Sequence, residues 1–458
     1  MNRLSPLAAL CAAAVLGACA QLPPQPRPDT PLPQAWPGQA PAPAGAEAHD
    51  WREFVIDPGL RALVEQALGA NRDARIAALQ VEQLAAQYQI RRAALSPTVN
   101  VGFASSRQTS GDANQSFKNT ASAGLQISAW EIDFFGRLTS LRDAALAQYL
   151  ASEQAQRGTQ LSLVAAVASG WLDLQAGTAL LELTRQTLAS REQSLHLTRL
   201  RYDNGTASAL DLRAAESLVE SARATLAQQR LQQGQARNAL ALLVGQPLDQ
   251  TLELPSAPVA DAPAALAELA PGLPAQVLLE RPDVRAAEQQ LAAASAQIGA
   301  ARAAFFPRIA LTASAGSASS ALSGLFKAGS WGWSLAPQAL LPIFDAGANQ
   351  AGLDSARAGR EIALAQYDKA IQTAFREVND ALLGRATLAD QLAAQQALVR
   401  SEAERLRLSE LRLRQGVASQ LELLDAQRSL FTAEQTLVQT RYALLQNRVA
   451  LFKTTAGR

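Results

Sequence analysis

Two opposite charges stand one helical turn apart near the C-terminal end of the chain. Asp425 and Arg428 follow Gln415-Gly416, a pair typical of a helix end, and Leu421 precedes Asp425 by one turn. Positions i, i+4 and i+7 share one face of a helix, so the three side chains form one stripe. Asp425 and Arg428 can form an ion pair, and their pattern does not indicate a reaction in which covalent bonds are made or broken. From the residues alone, a solvated Asp–Arg pair within the helix is the simpler interpretation.

The chain is poor in the groups that enzymes and metal sites use. Its histidines and cysteines are His49, His196, Cys11 and Cys19. It has no P-loop, GxGxxG, HExxH or GxSxG motif, and nothing marks the neighbouring Glu131 and Asp133 as a catalytic pair. A formal net charge of +1 lacks the basic excess of a nucleic-acid binder. We expect no catalysis, no cofactor, no metal and no nucleic-acid partner.

The N-terminus has the pattern of a lipoprotein signal. Leu7–Gly17 is apolar but too short to span a membrane as a helix. It ends in Leu16-Gly17-Ala18-Cys19, which resembles a lipobox, so we expect residues 1–18 to be removed and Cys19 to be lipidated, for example with palmitate. An ordinary signal peptide with an incidental cysteine is the alternative. Ala20, in place of Asp, favours the outer membrane, and the Pro-rich residues 19–50 are expected to form a linker.

The sequence contains one unit twice. Pro97 and Pro307 lie 210 positions apart in similar surroundings, and Gly205 and Gly416 lie 211 apart. We assign the repeats to residues 51–245 and 281–453. The proline-rich segment 246–280 separates them, and residues 454–458 form a tail.

Each repeat contains two segments in which apolar residues alternate with small or polar ones, as in Val99, Val101 and Phe103. This period of two predicts membrane strands at 97–107, 119–130, 307–317 and 331–341. Two hairpins of a soluble sheet are the alternative, but the polar faces are nearly free of charged residues. Four strands cannot close a barrel, so oligomerisation is required. The aromatic residues expected at the membrane interface are Trp130, Phe134, Phe135, Trp331 and Trp333.

Each repeat continues into a proline-free helical run, Arg137–Asp203 or Ala348–Arg414. Such a helix would reach about 100 Å. Leucines spaced by seven predict a coiled-coil seam, and Gly205 and Gly416 predict the turns of two long antiparallel hairpins.

Five phrases carry a family resemblance. They are WEIDFFG at Trp130, RPDVRAAE at Arg281, FFPRI at Phe305, PIFDAG at Pro342 and AFREV at Ala374. From about Trp51 to the C-terminus, the chain resembles the TolC-type outer-membrane efflux proteins, in particular their lipidated OprM-like branch.

The resemblance implies a mixed fold, mostly α-helical with a membrane β-barrel. In a homotrimer, four strands per chain would build a twelve-stranded barrel in outer-membrane lipid, and the hairpins would form a periplasmic α-barrel. Segment 246–280 and the tail would contribute to an equatorial belt. The implied function is a passive exit duct for drugs or other small molecules, working with a periplasmic adaptor and an inner-membrane RND-type pump.

The resemblance also implies roles for the residues around the hairpin turns. Leu421, Asp425 and Arg428 match the gate pattern. We expect three copies of Asp425 and Arg428 near the trimer axis to close the periplasmic end of the lumen by charge pairs between chains, with Leu421 as an apolar ring. The first repeat has Leu210, Ala214 and Ser217 at these positions, so it lacks the charges. The expected adaptor-contacting tips are Gly205, Thr206, Ala207, Ser208, Gly416, Val417, Ala418 and Ser419.

Two other functions stay open at this point. The duct of a type I protein secretion system would have the same fold with different partners. A coiled-coil lipoprotein scaffold without a pore would lack the four membrane strands.

Overall fold

The structure is a computed structural model that describes residues 50–109, 117–248, 266–267 and 275–455. The predicted signal peptide, Cys19 and nearly all of the predicted linker lie outside the described residues, as does most of segment 246–280.

The described residues are mainly helical. Helices α1 and α2 (Trp51–Phe54, Pro58–Ala70) come first, and α3 (Arg72–Ala93) leads into the first strands. The first hairpin consists of α4 (Arg137–Asp203) and α5 (Ala209–Val244). A 3-10 turn (Ala275–Glu280) precedes α6 (Pro282–Ala303), and the second hairpin consists of α7 (Ala348–Arg414) and α8 (Gln420–Thr455).

The duplication is confirmed at the level of elements and of single contacts. Helices α4 and α7 both have 67 residues, and α5 and α8 both have 36. Asn71 Nδ2 donates to the Leu243 carbonyl at 2.8 Å, and Arg281 Nη1 donates to the Thr454 carbonyl at 3.3 Å. These donors and acceptors occupy matching repeat positions, so each return helix is fastened at its end by the residue that precedes α3 or α6.

The four strands form one antiparallel sheet in the order β1-β2-β3-β4. They are β1 (Val99–Thr109), β2 (Phe117–Ile132), β3 (Arg308–Ser319) and β4 (Trp331–Leu340). The second strand extends beyond its predicted bounds and contains a bulge between Ile127 and Trp130, where Ala129 has φ of 47°. The edge strands β1 and β4 have no further strand beside them among the described residues.

Residues aligned across the four strands form rows of one chemical type. One row is apolar or small and contains Val101, Leu125, Ala315 and Trp333. The next row along the strands is made only of glycine and contains Gly102, Gly124, Gly316 and Gly332. A row on the same face as the glycines is polar and contains Asn100, Gln126, Ser314 and Ser334. Neighbouring rows point to opposite faces, so the sheet has an apolar face and a small, polar face.

The middle of the glycine row leaves no room for side chains. A Cβ at Gly124 would lie 2.4 Å from the Ala315 carbonyl oxygen, and one at Gly316 would lie 2.3 Å from the Ala123 carbonyl oxygen. At Gly332, on the edge strand, a Cβ would meet nothing within 4 Å. The central strands therefore approach each other here in a way that only glycine permits.

Contacts divide the chain into two compact units. Among the described residues, one unit contains the sheet and lies within 79–154 and 285–369, and the other lies within 50–78, 155–284 and 370–455. The second unit has an apolar core in which Trp171 and Leu172 are buried and Phe54 stacks on Phe452 at 4.2 Å. Each unit draws on both repeats, because neighbouring elements of the two copies pack side by side.

Candidate functional site

Both hairpin turns end their first helix with a left-handed glycine. Gly205 and Gly416 have φ of 72° and 74°. The amides of Thr206 and Val417 donate to the carbonyls of Arg201 and Arg412 at 2.8 and 3.0 Å. This is the Schellman pattern, which satisfies the last helical carbonyls and reverses the chain in a few residues.

The return helices are capped in two ways. Ser208 Oγ accepts from the Asp211 amide, and Asp211 Oδ2 accepts from the Ser208 amide, both at 3.1 Å, so α5 begins with a capping box. Ser419 Oγ accepts from the Glu422 amide at 3.2 Å, but Glu422 Oε1 accepts from Arg412 Nη1 at 2.9 Å. The second turn is therefore also braced by an ion pair across the hairpin.

The three predicted gate residues lie in the first turns of α8. Leu421 is exposed over 66% of its surface, and Arg428 is also exposed. Asp425 is half-buried, and its Oδ1 accepts from Arg428 Nη2 at 2.5 Å. The pair expected from the helical spacing is present within one chain.

The structure adds a fourth residue to this set. Arg405 of α7 donates through Nη2 to Asp425 Oδ2, so each oxygen of Asp425 has its own arginine. Arg405 also reaches Glu402 through Nη1 at 3.1 Å. Sequence spacing along one helix cannot reveal Arg405, because it belongs to the other arm of the hairpin. Arg405 precedes the turn glycine Gly416 by 11 residues, and Asp425 follows it by 9. These similar separations from the turn are the sequence signal that places the two residues opposite each other in the hairpin.

These contacts fix the charge state of the cluster. The hydrogen bond from Arg405, followed by that from Arg428, lowers the pKa of Asp425 below its ordinary value. The hydrogen bond to Asp425 likewise raises the pKa of Arg405. Asp425 is therefore ionised throughout the neutral range.

The predicted interface aromatics have different surroundings. Trp331 and Trp333 lie on the apolar face of β4 and are exposed over 69% and 72% of their surfaces. Phe134 is also exposed. Phe135 stacks on Phe306 at 4.9 Å, and Trp130 is half-buried.

The two acidic residues at the end of β2, Glu131 in the strand and Asp133 just after it, have structural roles. Glu131 receives two bonds of 2.7 Å from the Arg137 guanidinium, and Asp133 accepts from the amides of Leu138 and Thr139 at 3.0 and 2.7 Å, at the start of α4. The described residues contain no group of His, Cys, Asp and Glu that could hold a metal ion.

A sheet with open edges, together with two long helical hairpins, is the protomer architecture of a TolC-type outer-membrane channel. The sheet contributes to a β-barrel and the hairpins to an α-barrel. A family model for outer membrane efflux proteins matches residues 63–246 and 273–457. The chain belongs to this family.

Named relatives agree over nearly the whole length. The outer membrane protein OprJ of Pseudomonas aeruginosa is 44% identical over 92% of this chain and 89% of its own. The solvent efflux pump outer membrane protein SrpC of Pseudomonas putida is 45% identical over 90% of both chains. The open state of the MtrE outer membrane channel of Neisseria gonorrhoeae superposes with a TM-score of 0.86 at 34% identity, covering 96% of this chain and 98% of that one. The protein is thus an outer-membrane component of an efflux pump and extends into the periplasm.

Proposed function

We propose that the protein is a homotrimeric, passive exit duct for small apolar molecules, with a gate at the hairpin ends. The observation that carries the gate is the cluster in which Arg405 and Arg428 hold Asp425 at the start of α8. The first repeat has Ser194, Ser217 and Ala214 at the matching positions, so the cluster belongs to one hairpin only.

Two features support the trimer and the passive duct. Four strands with open edges need neighbouring copies to satisfy their backbone groups in lipid, and three copies supply twelve strands. The small, polar face of the sheet then lines the lumen, and the apolar face with Trp331 and Trp333 meets lipid. Neither face of this sheet carries a catalytic constellation.

The partners follow from the class of pump. We propose that the two hairpin turns, Gly205–Ser208 and Gly416–Ser419, meet a periplasmic adaptor and that an RND-type pump supplies the cargo. The names of relatives mention antibiotic, toluene and solvent efflux, which supports drugs and small apolar molecules as cargo. We also propose that Cys19 anchors the chain to outer-membrane lipid.

In the closed duct, Leu421 forms an apolar ring and the Arg405–Asp425–Arg428 cluster holds α8 beside α7. Within each chain, the negative charge of Asp425 offsets one of the two arginine charges in the cluster. Glu402, which pairs with Arg405, offsets the other. Closure therefore depends on α7 fixing α8 rather than on charge pairs between chains alone.

Single-channel conductance in planar bilayers tests the gate. Asp425→Ala and Arg405→Ala should each raise the resting open probability roughly fivefold or more, the lower range of measured couplings. Arg407→Ala is the matched control, because Arg407 pairs with Glu404 along α7 at 2.7 Å and is exposed. An Asp425→Ala channel no more open than Arg407→Ala refutes the gate, and a purified trimer without any conductance refutes the duct.

A further inference from the structure

A buried arginine lies where the first hairpin meets α8, the helix that carries the proposed gate residues. Arg191 of α4 is 5% exposed, although an arginine rarely leaves water without a carboxylate partner. None of the described residues forms an ion pair with it by the distances in the structure, and its Nε is buried without a hydrogen-bond partner among them.

Arg191 instead makes two other contacts. Its Nη1 donates to the Leu218 carbonyl of α5 at 3.1 Å. Its guanidinium lies over the ring of Phe431 of α8, 4.9 Å from the ring centre. Burial lowers the pKa of Arg191, but an arginine keeps its charge at neutral pH. A desolvated cation over an aromatic ring is the stronger form of the cation–π interaction.

A second contact joins the same two helices nearer the turn. Gln420 Nε2 donates to Oγ1 of Thr198 at 3.2 Å, and Thr198 is 2% exposed. Arg191 and Thr198 are seven residues apart on α4, about two turns, and Gln420 and Phe431 are eleven apart on α8, about three turns. Each pair therefore lies on one face of its helix, and the two helices run antiparallel.

The gate residues lie between these two contacts. Leu421, Asp425 and Arg428 all fall between Gln420 and Phe431 on a single helix. A helix transmits the position of its ends to the residues between them. The gate segment, which we define as residues 420–431 of α8, is consequently held to α4 at both ends and to α7 through Arg405 in the middle.

The repeat supports a dedicated role for Arg191. The matching position in the second repeat, 211 residues later, is Glu402, which faces Arg405 in the gate cluster. The position that matches Phe431 in the first repeat is Glu220, which is paired with Arg223. The cation–π contact between the two repeats therefore has no counterpart at the matching positions, where both residues are glutamates.

We propose that Arg191 is a positioning residue for the gate: with Phe431 it forms a clasp that holds the gate segment of α8 against the first hairpin. This inference rests on the proposed gate. Opening must separate α8 from α4 or carry α4 with it, and losing the clasp favours the open state.

The test compares resting conductance of reconstituted full-length channels. Arg191→Met keeps an unbranched apolar stem and removes the charge, and Phe431→Leu keeps apolar bulk and removes the ring. Each should raise the resting open probability roughly 5- to 30-fold, which corresponds to the range of a desolvated cation–π contact. The double variant should add little to either single variant, and Arg191→Lys should restore most of the closure.

The matched control is Arg223→Met, which removes an exposed arginine from α5 with pairs to Glu192 and Glu220 at 2.8 Å. If Arg191→Met yields no trimer, the resting conductance of Phe431→Leu and of Gln420→Ala is measured in its place. Resting conductance of Arg191→Met or of Phe431→Leu equal to that of Arg223→Met overturns the clasp. If Asp425→Ala still leaks in that case, the gate stands without the clasp. If Asp425→Ala is silent while Arg191→Met leaks, the gate assignment fails, and with it the proposal that Arg191 positions this gate.

Discussion

The glycine row across the sheet gives a prediction with an internal control. Gly124 and Gly332 stand in the same row, but their surroundings differ. A Cβ at Gly124 would lie 2.4 Å from the Ala315 oxygen and 2.6 Å from the Gly316 Cα, well inside the roughly 3.5 Å of carbon contacts. A Cβ at Gly332 would be free of neighbours within 4 Å. The same substitution therefore has opposite steric consequences at the two positions.

The cost follows from which atoms must move. At Gly124 both obstacles are backbone atoms of a paired strand, so relief requires the central strands to separate. Overpacking of this kind costs about 1–3 kcal/mol per chain, and we expect Gly124→Ala near the upper end. Gly332→Ala meets no obstacle within its own chain and removes a flexible residue from a strand, so within the chain's own sheet its effect should be within about 1 kcal/mol of zero. Gly102→Ala should be intermediate, because it meets only the movable Gln126 side chain, at 2.8 Å.

The assay is the urea midpoint of the channel in detergent micelles, followed by tryptophan fluorescence, with trimer recovered from membranes as a second readout. Gly124→Ala should unfold at distinctly lower urea than wild type, and Gly332→Ala should not. Midpoints equal to that of wild type for both variants would mean that the close approach of β2 and β3 is not a requirement of the fold. A lower midpoint for Gly332→Ala alone would reverse the argument.

Four further predictions are testable in the same preparation. Arg281→Met should cost about 2–3 kcal/mol, because this arginine is 8% exposed and bonds two carboxylates at 2.7 Å, whereas Arg223→Met should change the urea midpoint little. Gly416→Ala should cost about 1 kcal/mol through its φ of 74° alone, since the space around it is open, and a larger loss of stability would reveal an unrecognised contact. The ion pairs of Asp425, whose pKa is lowered, are complete above the ordinary value of about 3.9 and are lost as pH falls through the lowered pKa, so resting conductance should stay flat from about pH 5 to 8; a step in that range argues against this carboxylate as the sensor. Cys19→Ser should abolish labelling with palmitate, and label retained by that variant would place the lipid elsewhere.

Local chemistry explains why much of the fold was predictable. The long helices were read from the absence of proline, and their bounds, Arg137–Asp203 and Ala348–Arg414, are those of the structure. Gly205 and Gly416 predicted the turns because glycine adopts the left-handed conformation at little cost. Alternation predicted all four strands, since a pleated strand presents successive side chains to opposite faces.

Features that depend on register between elements were not predictable in this way. The bulge in β2 includes Ala129, which has a positive φ. Alanine has no preference for this conformation, so its presence in the sequence did not predict the bulge. The glycine row exists only because β1, β2, β3 and β4 align at one level, a relation that no single strand contains. The contact of Arg405 with Asp425 was not predicted for the same reason, because it is made across a hairpin rather than along a helix.

The duplication separates the contacts that the fold requires from those of the proposed gate. Contacts required by the fold recur in both repeats, as with Asn71 and Arg281, which fasten the ends of α5 and α8. The contacts of the proposed gate do not recur: Arg405 and Asp425 correspond to Ser194 and Ala214. A hairpin of this length with this Schellman turn is therefore complete without the charges, as the first repeat demonstrates. The charges of the second hairpin consequently call for an explanation other than folding, and their position at the start of α8, beside the exposed Leu421, fits the gate that we propose.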